Sequence, residues 1–110
     1  MARPIKQGLD FPLWKPQRGT QMRMESSDYK TRYKALRNSS GGFINRKDVR
    51  EFIFNRDGNK CYLCGSSSDL QIDHINSVYS CAIGNYPVYK LNTEENLATI
   101  CAKCNAAKLP

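Results

Sequence analysis

Histidine is almost absent from this chain of 110 residues, which contains only His74, and no apolar run is long enough to cross a membrane. The N-terminal stretch MARPIKQGLDFPLWKPQ lacks the apolar core of a secretory signal, so we expect a cytoplasmic protein without a membrane partner. Acidic residues are also scarce: 10 stand against 17 lysines and arginines, for a net charge of +7. This excess favours nucleic acid as a partner, although charge can serve solubility alone.

Cysteine occurs in an odd number. Four of the five cysteines form two CxxC pairs, Cys61 with Cys64 and Cys101 with Cys104, and Cys81 stands alone. Without a secretory signal, this pattern indicates a metal site rather than disulfides. Two CxxC units complete a tetrahedral site, and four thiolates suit a structural Zn²⁺ with no open position. The alternatives are four free buried thiols or a redox CxxC, and we expect Cys81 to fill space in a loop.

The length suits one domain, which at this size often needs a staple such as a metal ion. We divide the chain into a basic N-terminal arm and linker, residues 1–42, and a domain, residues 43–110. Within the first part, residues 1–25 predict an extended or poorly ordered arm. Residues 26–36 predict a short helix capped by Ser27 or Asp28, and RNSSGG at 37–42 predicts a linker.

The second part predicts alternating helix and strand. NRKDVREFIFNRDG predicts a helix that Asn45 caps and Gly58 ends, and Leu70 to Ile75 predicts a strand. The stretch after it predicts an irregular loop with a little strand near residues 88–89. A short helical turn capped by Thr93 and a last helix opened by the second CxxC complete the prediction.

The sole histidine follows an acid. On a strand, Asp73 and His74 point to opposite faces, and a zinc staple would bring both close to Asn105. An Asp and an Asn oxygen with open water positions suit Mg²⁺ or Mn²⁺. A neutral imidazole beside such an ion can take a proton from an attacking water. The alternative is an ordinary hydrogen-bonded structural histidine.

The run NRDGNKCYLCG…LQIDHI…EENLATICAKCNAAK resembles an HNH endonuclease of the zinc-stapled kind, over about residues 46–108. The resemblance implies an α+β fold, a small ββα-metal domain in which a two-stranded hairpin and a helix clasp one divalent ion. A four-cysteine zinc site staples that domain. The basic N-terminal arm and helix precede it.

The resemblance also implies residue roles. Asp73 would bind the catalytic ion, and Asn105 would replace the family's final histidine as its second ligand. His74 would be the general base, Asn96 would brace the loop and help to orient His74, and Lys108 would contact a phosphate next to the break. These roles imply a metal-dependent DNA endonuclease, or a nickase if one active site cuts one strand.

The basic arm is the expected nucleic-acid contact, with a solvated tail as the alternative. Its candidate residues are Arg23, Lys30, Arg32, Lys34 and Arg37. No base-reading motif is identifiable, so specificity is expected to be low or to come from a protein partner such as a phage packaging component. Small size favours a phage or mobile-element origin. The alternative function is a non-catalytic zinc module that binds nucleic acid.

Overall fold

The computed structural model describes residues 11–108, so the predictions for residues 1–10 and for the last two residues lie outside the described part. The expected α+β class is confirmed, with one two-stranded sheet among short helices. In chain order the elements are α1 (Arg18–Arg23), α2 (Tyr29–Ile44), α3 (Lys47–Arg56), β1 (Leu70–His74), α4 (Val78–Ala82), a 3₁₀ turn (Val88–Lys90), β2 (Leu97–Cys101) and α5 (Ala102–Ala107). Within residues 11–108, no helix is both long and apolar enough to cross a membrane.

The sheet is an antiparallel pair of β1 and β2, in which Asp73 lies opposite Ala98 and His74 opposite Leu97. The prediction of β1 is confirmed to within one residue. The residue pattern did not predict β2, because all five of its residues are buried and none alternates with a polar, exposed neighbour. A two-stranded sheet is marginal by itself, so packing against helices and the cysteine cluster must stabilise it.

Helix α2 is longer than expected. Asp28 caps it as predicted, its side chain accepting a hydrogen bond from the Lys30 N–H at 3.2 Å. The linker predicted at residues 37–42 is wrong, because those residues continue the helix to Ile44. Glycine costs about 1 kcal/mol in a helix interior. Burial of Phe43 in the core offsets that local preference.

The flanking segments correct two further expectations. Residues 18–23 are helical rather than extended, and Thr20 on α1 is buried. Asn45 does not cap α3; it is the C-cap of α2, and Arg46 precedes the first turn of α3. The side chain of Asn45 donates to the Gly41 carbonyl at 2.9 Å, which satisfies an end carbonyl of α2.

Helix α3 is fixed to β2 by a buried ion pair. The Arg56 side chain is 2% exposed, and its Nε lies 2.8 Å from Oδ1 of Asp57. The same guanidinium donates to the carbonyl of Leu97 at 2.6 Å, while the Asp57 carboxylate accepts the N–H of Thr99 at 2.9 Å. Partial burial raises the pKa of Asp57, but the hydrogen bonds from Arg56 and from the N–H of Thr99 outweigh it and hold the pKa below its ordinary value. The helix end and the second strand therefore form one unit.

The segment between the strands is more ordered than expected. It contains α4, and residues 88–90 form a 3₁₀ turn rather than the predicted strand. Cys81 is buried against Leu36 and Leu91, and burial raises the pKa of its thiol to about 11. Its contacts are those of a space-filling side chain. The Thr93 hydroxyl donates backwards to the Lys90 carbonyl at 2.9 Å instead of capping a helix.

Candidate active site and metal centre

The two CxxC pairs meet in space. The sulfur atoms of the four cysteines Cys61, Cys64, Cys101 and Cys104 all lie within 4.8 Å of one another. A tetrahedral Zn²⁺ with Zn–S bonds of about 2.3 Å needs sulfurs about 3.8 Å apart, and Cys64 and Cys101 are 3.6 Å apart. The cluster therefore fits a zinc site, as the spacing predicts.

Backbone amides support the cysteine sulfurs. The N–H of Leu63 donates to Cys61 Sγ at 3.4 Å, and the N–H of Cys104 donates to Cys101 Sγ at 3.4 Å. Burial raises the pKa of Cys61, but N–H donors outweigh it and bring the pKa to about 6. A thiolate at neutral pH is the form that binds a metal. Gly65 ends the first turn at a φ of 78°, which few other residues tolerate.

Asp73 faces the end of the last helix. Its Oδ2 accepts hydrogen bonds from the Tyr62 hydroxyl at 2.9 Å and from Lys108 Nζ at 2.5 Å. Lys108 also donates to the backbone carbonyl of His74 at 2.9 Å, so its ammonium binds the last residue of β1. Burial and the hydrogen bond to Asp73 raise the pKa of Tyr62 to about 12. Tyr62 therefore stays protonated and donates to the carboxylate.

His74 faces the opposite way, toward α2 and the loop before β2. Its Nε2 lies 2.7 Å from Asn92 Oδ1 and 3.0 Å from Ser40 Oγ. An amide oxygen only accepts hydrogen bonds, so Nε2 carries the proton and Nδ1 keeps its lone pair. Burial lowers the pKa of His74 below its ordinary value, against the raising effects of the Asn92 hydrogen bond and the Asp73 charge. The neutral ring is the form suited to accept a proton.

One cavity joins these groups. It has a volume of about 470 Å³, and its wall includes Asp73, His74, Asn105 and Lys108. Asn105 Nδ2 donates to Gln71 Oε1 at 2.7 Å, which leaves the amide oxygen of Asn105 without a donor among residues 11–108. A buried carboxylate and an amide oxygen on the wall of one cavity are hard donors of the kind that Mg²⁺ or Mn²⁺ takes. These residues fit a divalent ion.

Asn96 lies under the loop rather than in the cavity wall. It is 2% exposed, and its Oδ1 accepts from the N–H of Asn76 at 2.8 Å. Its Nδ2 donates to the carbonyls of Asn76 at 3.0 Å and Leu91 at 2.9 Å. These bonds tie Asn76, two residues after the end of β1, to the loop that carries Asn92. Asn96 makes no direct contact with the imidazole within the described residues.

The basic residues of the predicted arm lie in different surroundings. Arg32 bonds within the chain, donating to the Ala82 carbonyl at 2.8 Å and the Ser26 carbonyl at 2.6 Å. Arg37 is exposed on the wall of the His74 cavity. Arg23 and Lys34 line a separate cavity of about 600 Å³ between α1 and α2, and Lys30 is exposed at the start of α2. Among these, Arg37 is the cation nearest to the site.

Three residues around the site were not identified from the sequence. Tyr62 donates to Asp73, and its place inside the first CxxC pair could have indicated it. Ser40 and Asn92 contact His74 from positions 34 and 18 residues away in the chain. No local pattern marks either one, because only the tertiary structure brings them to the ring.

The comparison with known protein families gives one match in agreement with this geometry. The model of the family described as HNH endonuclease matches residues 61–109, a segment that holds both CxxC pairs, both strands and α5. No significant similarity was found to a curated protein or to a solved structure. Residues 61–109 are therefore similar to the HNH endonuclease family.

Proposed function

We propose that the protein is a metal-dependent DNA endonuclease, or a nickase, that hydrolyses phosphodiester bonds. One observation carries this proposal: Asp73 and His74 open on the same cavity as Asn105, although they contact different elements. A zinc module that only bound nucleic acid would need no such combination of carboxylate, neutral imidazole and amide beside one another.

The chemistry assigned to His74 follows from its hydrogen bonds. Nε2 donates to Asn92, so Nδ1 is the atom that would take a proton from water as that water attacks phosphorus. Asn96 would act indirectly, by holding the loop that carries Asn92. An Mg²⁺ or Mn²⁺ ion held by Asp73 and Asn105 would supply Lewis-acid stabilisation of charge on the phosphate oxygens and the leaving group.

Cationic side chains would position the DNA backbone. Arg37 and Lys108 both lie on the cavity wall, and Lys108 forms an ion pair there with Asp73. Released from that carboxylate, the Lys108 ammonium could contact a phosphate next to the break. Arg23, Lys30 and Lys34 would extend the contact along α1 and α2 without reading bases. Arg32 would serve mainly to hold α2 against α4.

The alternative is a non-catalytic, zinc-stapled module that binds nucleic acid. One observation favours it: the Lys108 ammonium lies on the Asp73 oxygen that a catalytic ion would need. A permanent ion pair there would leave the basic surface able to bind DNA and the cavity unable to hydrolyse it. The two functions make opposite predictions for one assay.

That assay is nicking of supercoiled plasmid by the zinc-loaded protein with Mg²⁺ or Mn²⁺, with His74→Gln as the comparison. Glutamine keeps an N–H donor for Asn92 but has no basic nitrogen, so the fold is retained and the proton acceptor is lost. We expect cleavage by the wild type and a loss of roughly 100-fold or more in the variant. If both proteins bind plasmid and neither cleaves it with either ion, the alternative function is correct.

A further inference from the structure

Ser40 is an unusual residue for its position. It lies on α2 at 1% exposure, between the buried Leu36 and Phe43. Burying a hydroxyl costs about 1–3 kcal/mol unless it is hydrogen-bonded, and a helical serine usually bonds a carbonyl of its own helix. Among the described residues, the Ser40 hydroxyl bonds only Asn92 and His74, which lie outside its helix. Packing alone would be served as well by alanine.

The hydrogen atoms around Ser40 can be assigned without conflict. The Ser40 O–H donates to Asn92 Oδ1 at 3.0 Å. The Ser40 oxygen accepts from the N–H of His74 Nε2 at 3.0 Å, a hydrogen that Asn92 Oδ1 also accepts. If Ser40 instead donated to Nε2, the ring nitrogen and the Asn92 oxygen, 2.7 Å apart, would both be acceptors and would repel each other. The hydrogen bonds among these three side chains are therefore consistent with one neutral tautomer of His74, the one protonated on Nε2.

Ser40 also determines which way the Asn92 amide faces. Asn92 Oδ1 receives two donors, whereas Asn92 Nδ2 is buried without a partner in the described part of the chain. Reversing the amide would leave its oxygen and the Ser40 hydroxyl hydrogen unpartnered, so the Ser40 donor favours the observed orientation. Without that donor, a reversed amide could donate to Nε2, and the ring proton would move to Nδ1.

The contact joins two parts of the chain that the family match separates. Ser40 lies on α2, before the matched residues 61–109, whereas His74 and Asn92 lie within them. Asn96 holds the Asn92 loop from below, through the Leu91 carbonyl. The imidazole Nε2 therefore contacts the loop through Asn92 and α2 through Ser40.

We propose that Ser40 is a positioning residue that acts through His74: it fixes the Asn92 amide and the imidazole so that Nδ1 faces the cavity with its lone pair. This inference rests on the proposed function in so far as Nδ1 is the proton acceptor. It makes α2 a working part of the active site rather than an appended arm.

The test combines tautomer and turnover in the full zinc-loaded chain. Because the chain has a single histidine, long-range ¹H–¹⁵N correlation spectra above neutral pH report its ring directly. Ser40→Ala is compared with the neighbouring Ser39→Ala, and Ser40→Thr keeps the hydroxyl. Ser40→Cys keeps the volume with only a weak donor, and it replaces the alanine variant if that variant loses zinc.

We expect the wild type and Ser40→Thr to carry the proton on Nε2, and Ser40→Ala to show a mixture of tautomers. The kcat of Ser40→Ala should fall roughly 10- to 100-fold with KM unchanged, whereas Ser39→Ala should match the wild type. A wild-type proton on Nδ1, or a Ser40→Ala protein with the wild-type tautomer and kcat, would overturn the proposal. If the wild type cleaves nothing, the spectra still decide the role of Ser40, and only the endonuclease proposal fails.

Discussion

The Lys108 ammonium lies 2.5 Å from the Asp73 carboxylate, inside the cavity that also holds the imidazole. A divalent ion bound by Asp73 would have to displace that ammonium. We therefore expect Lys108→Met to bind Mn²⁺ roughly 10-fold more tightly, which corresponds to about 1.4 kcal/mol. Electron paramagnetic resonance titration of the zinc-loaded protein measures this affinity without a cleavage assay. Lys103→Met, on the exposed side of α5, removes the same charge and should leave the affinity nearly unchanged; equal effects from both variants would contradict the competition.

The acid limb of the activity profile should lie below pH 6.5, the ordinary pKa of histidine, because burial lowers the pKa of His74. The neutral ring is required, so activity should rise with pH through the lowered pKa and then level off. Lys108 also lowers this pKa, so Lys108→Met should move the midpoint upward. Initial rates of nicking from acid to neutral pH give the midpoint, with zinc content checked at each pH. A flat profile would argue against His74 as the base.

Removal of a zinc ligand should unfold the domain. Structural zinc sites contribute about 10–16 kcal/mol of binding free energy, which matches or exceeds the total stability of about 5–15 kcal/mol of a typical domain. We expect Cys61→Ser to lose zinc and its circular dichroism signal together. Cys81→Ala, at the buried cysteine outside the cluster, should keep both. A folded, zinc-free Cys61→Ser protein would show that packing alone is sufficient.

The buried Arg56 should matter far more than an exposed arginine in a similar ion pair. Arg56→Met leaves the Asp57 carboxylate without its partner and removes donors to two carbonyls, so the free energy of unfolding should fall by about 3–5 kcal/mol. Arg46→Met breaks the exposed pair with Asp48, which should cost about 0–1 kcal/mol. Urea denaturation of both zinc-loaded variants measures the difference. A similar fall in the free energy of unfolding of both variants would mean that the Arg56 contacts stabilise the fold no more than an exposed ion pair does.

Part of the fold follows from local chemistry. The strand at Leu70, the Asp28 cap and the meeting of the two CxxC pairs are all predictable, because each depends on residues close in sequence or on fixed ligand spacing. The predicted linker at 37–42 was wrong because polar and glycine residues indicate a loop only where packing does not decide. There, burial of Phe43 extended the helix.

Some residues of the candidate site could likewise be identified from the sequence, and others could not. Asp73, His74, Asn105 and Lys108 share one cavity, and the family resemblance identified each of them. Their roles in binding an ion and moving a proton stay predictions. Ser40 and Asn92 could not be found, because a single serine or asparagine carries no signal until the fold places it 3.0 or 2.7 Å from a ring nitrogen.

The order of the zinc ligands along the chain has a consequence for synthesis on the ribosome. Cys61 and Cys64 precede β1, whereas Cys101 ends β2 and Cys104 lies within α5. A nascent chain that has exposed β1 still lacks its partner strand β2 and half of the sulfur atoms of the cysteine cluster. His74 therefore emerges long before the structure that orients it is complete. A partly made chain would therefore lack the assembled cavity on which the proposed hydrolysis of DNA depends.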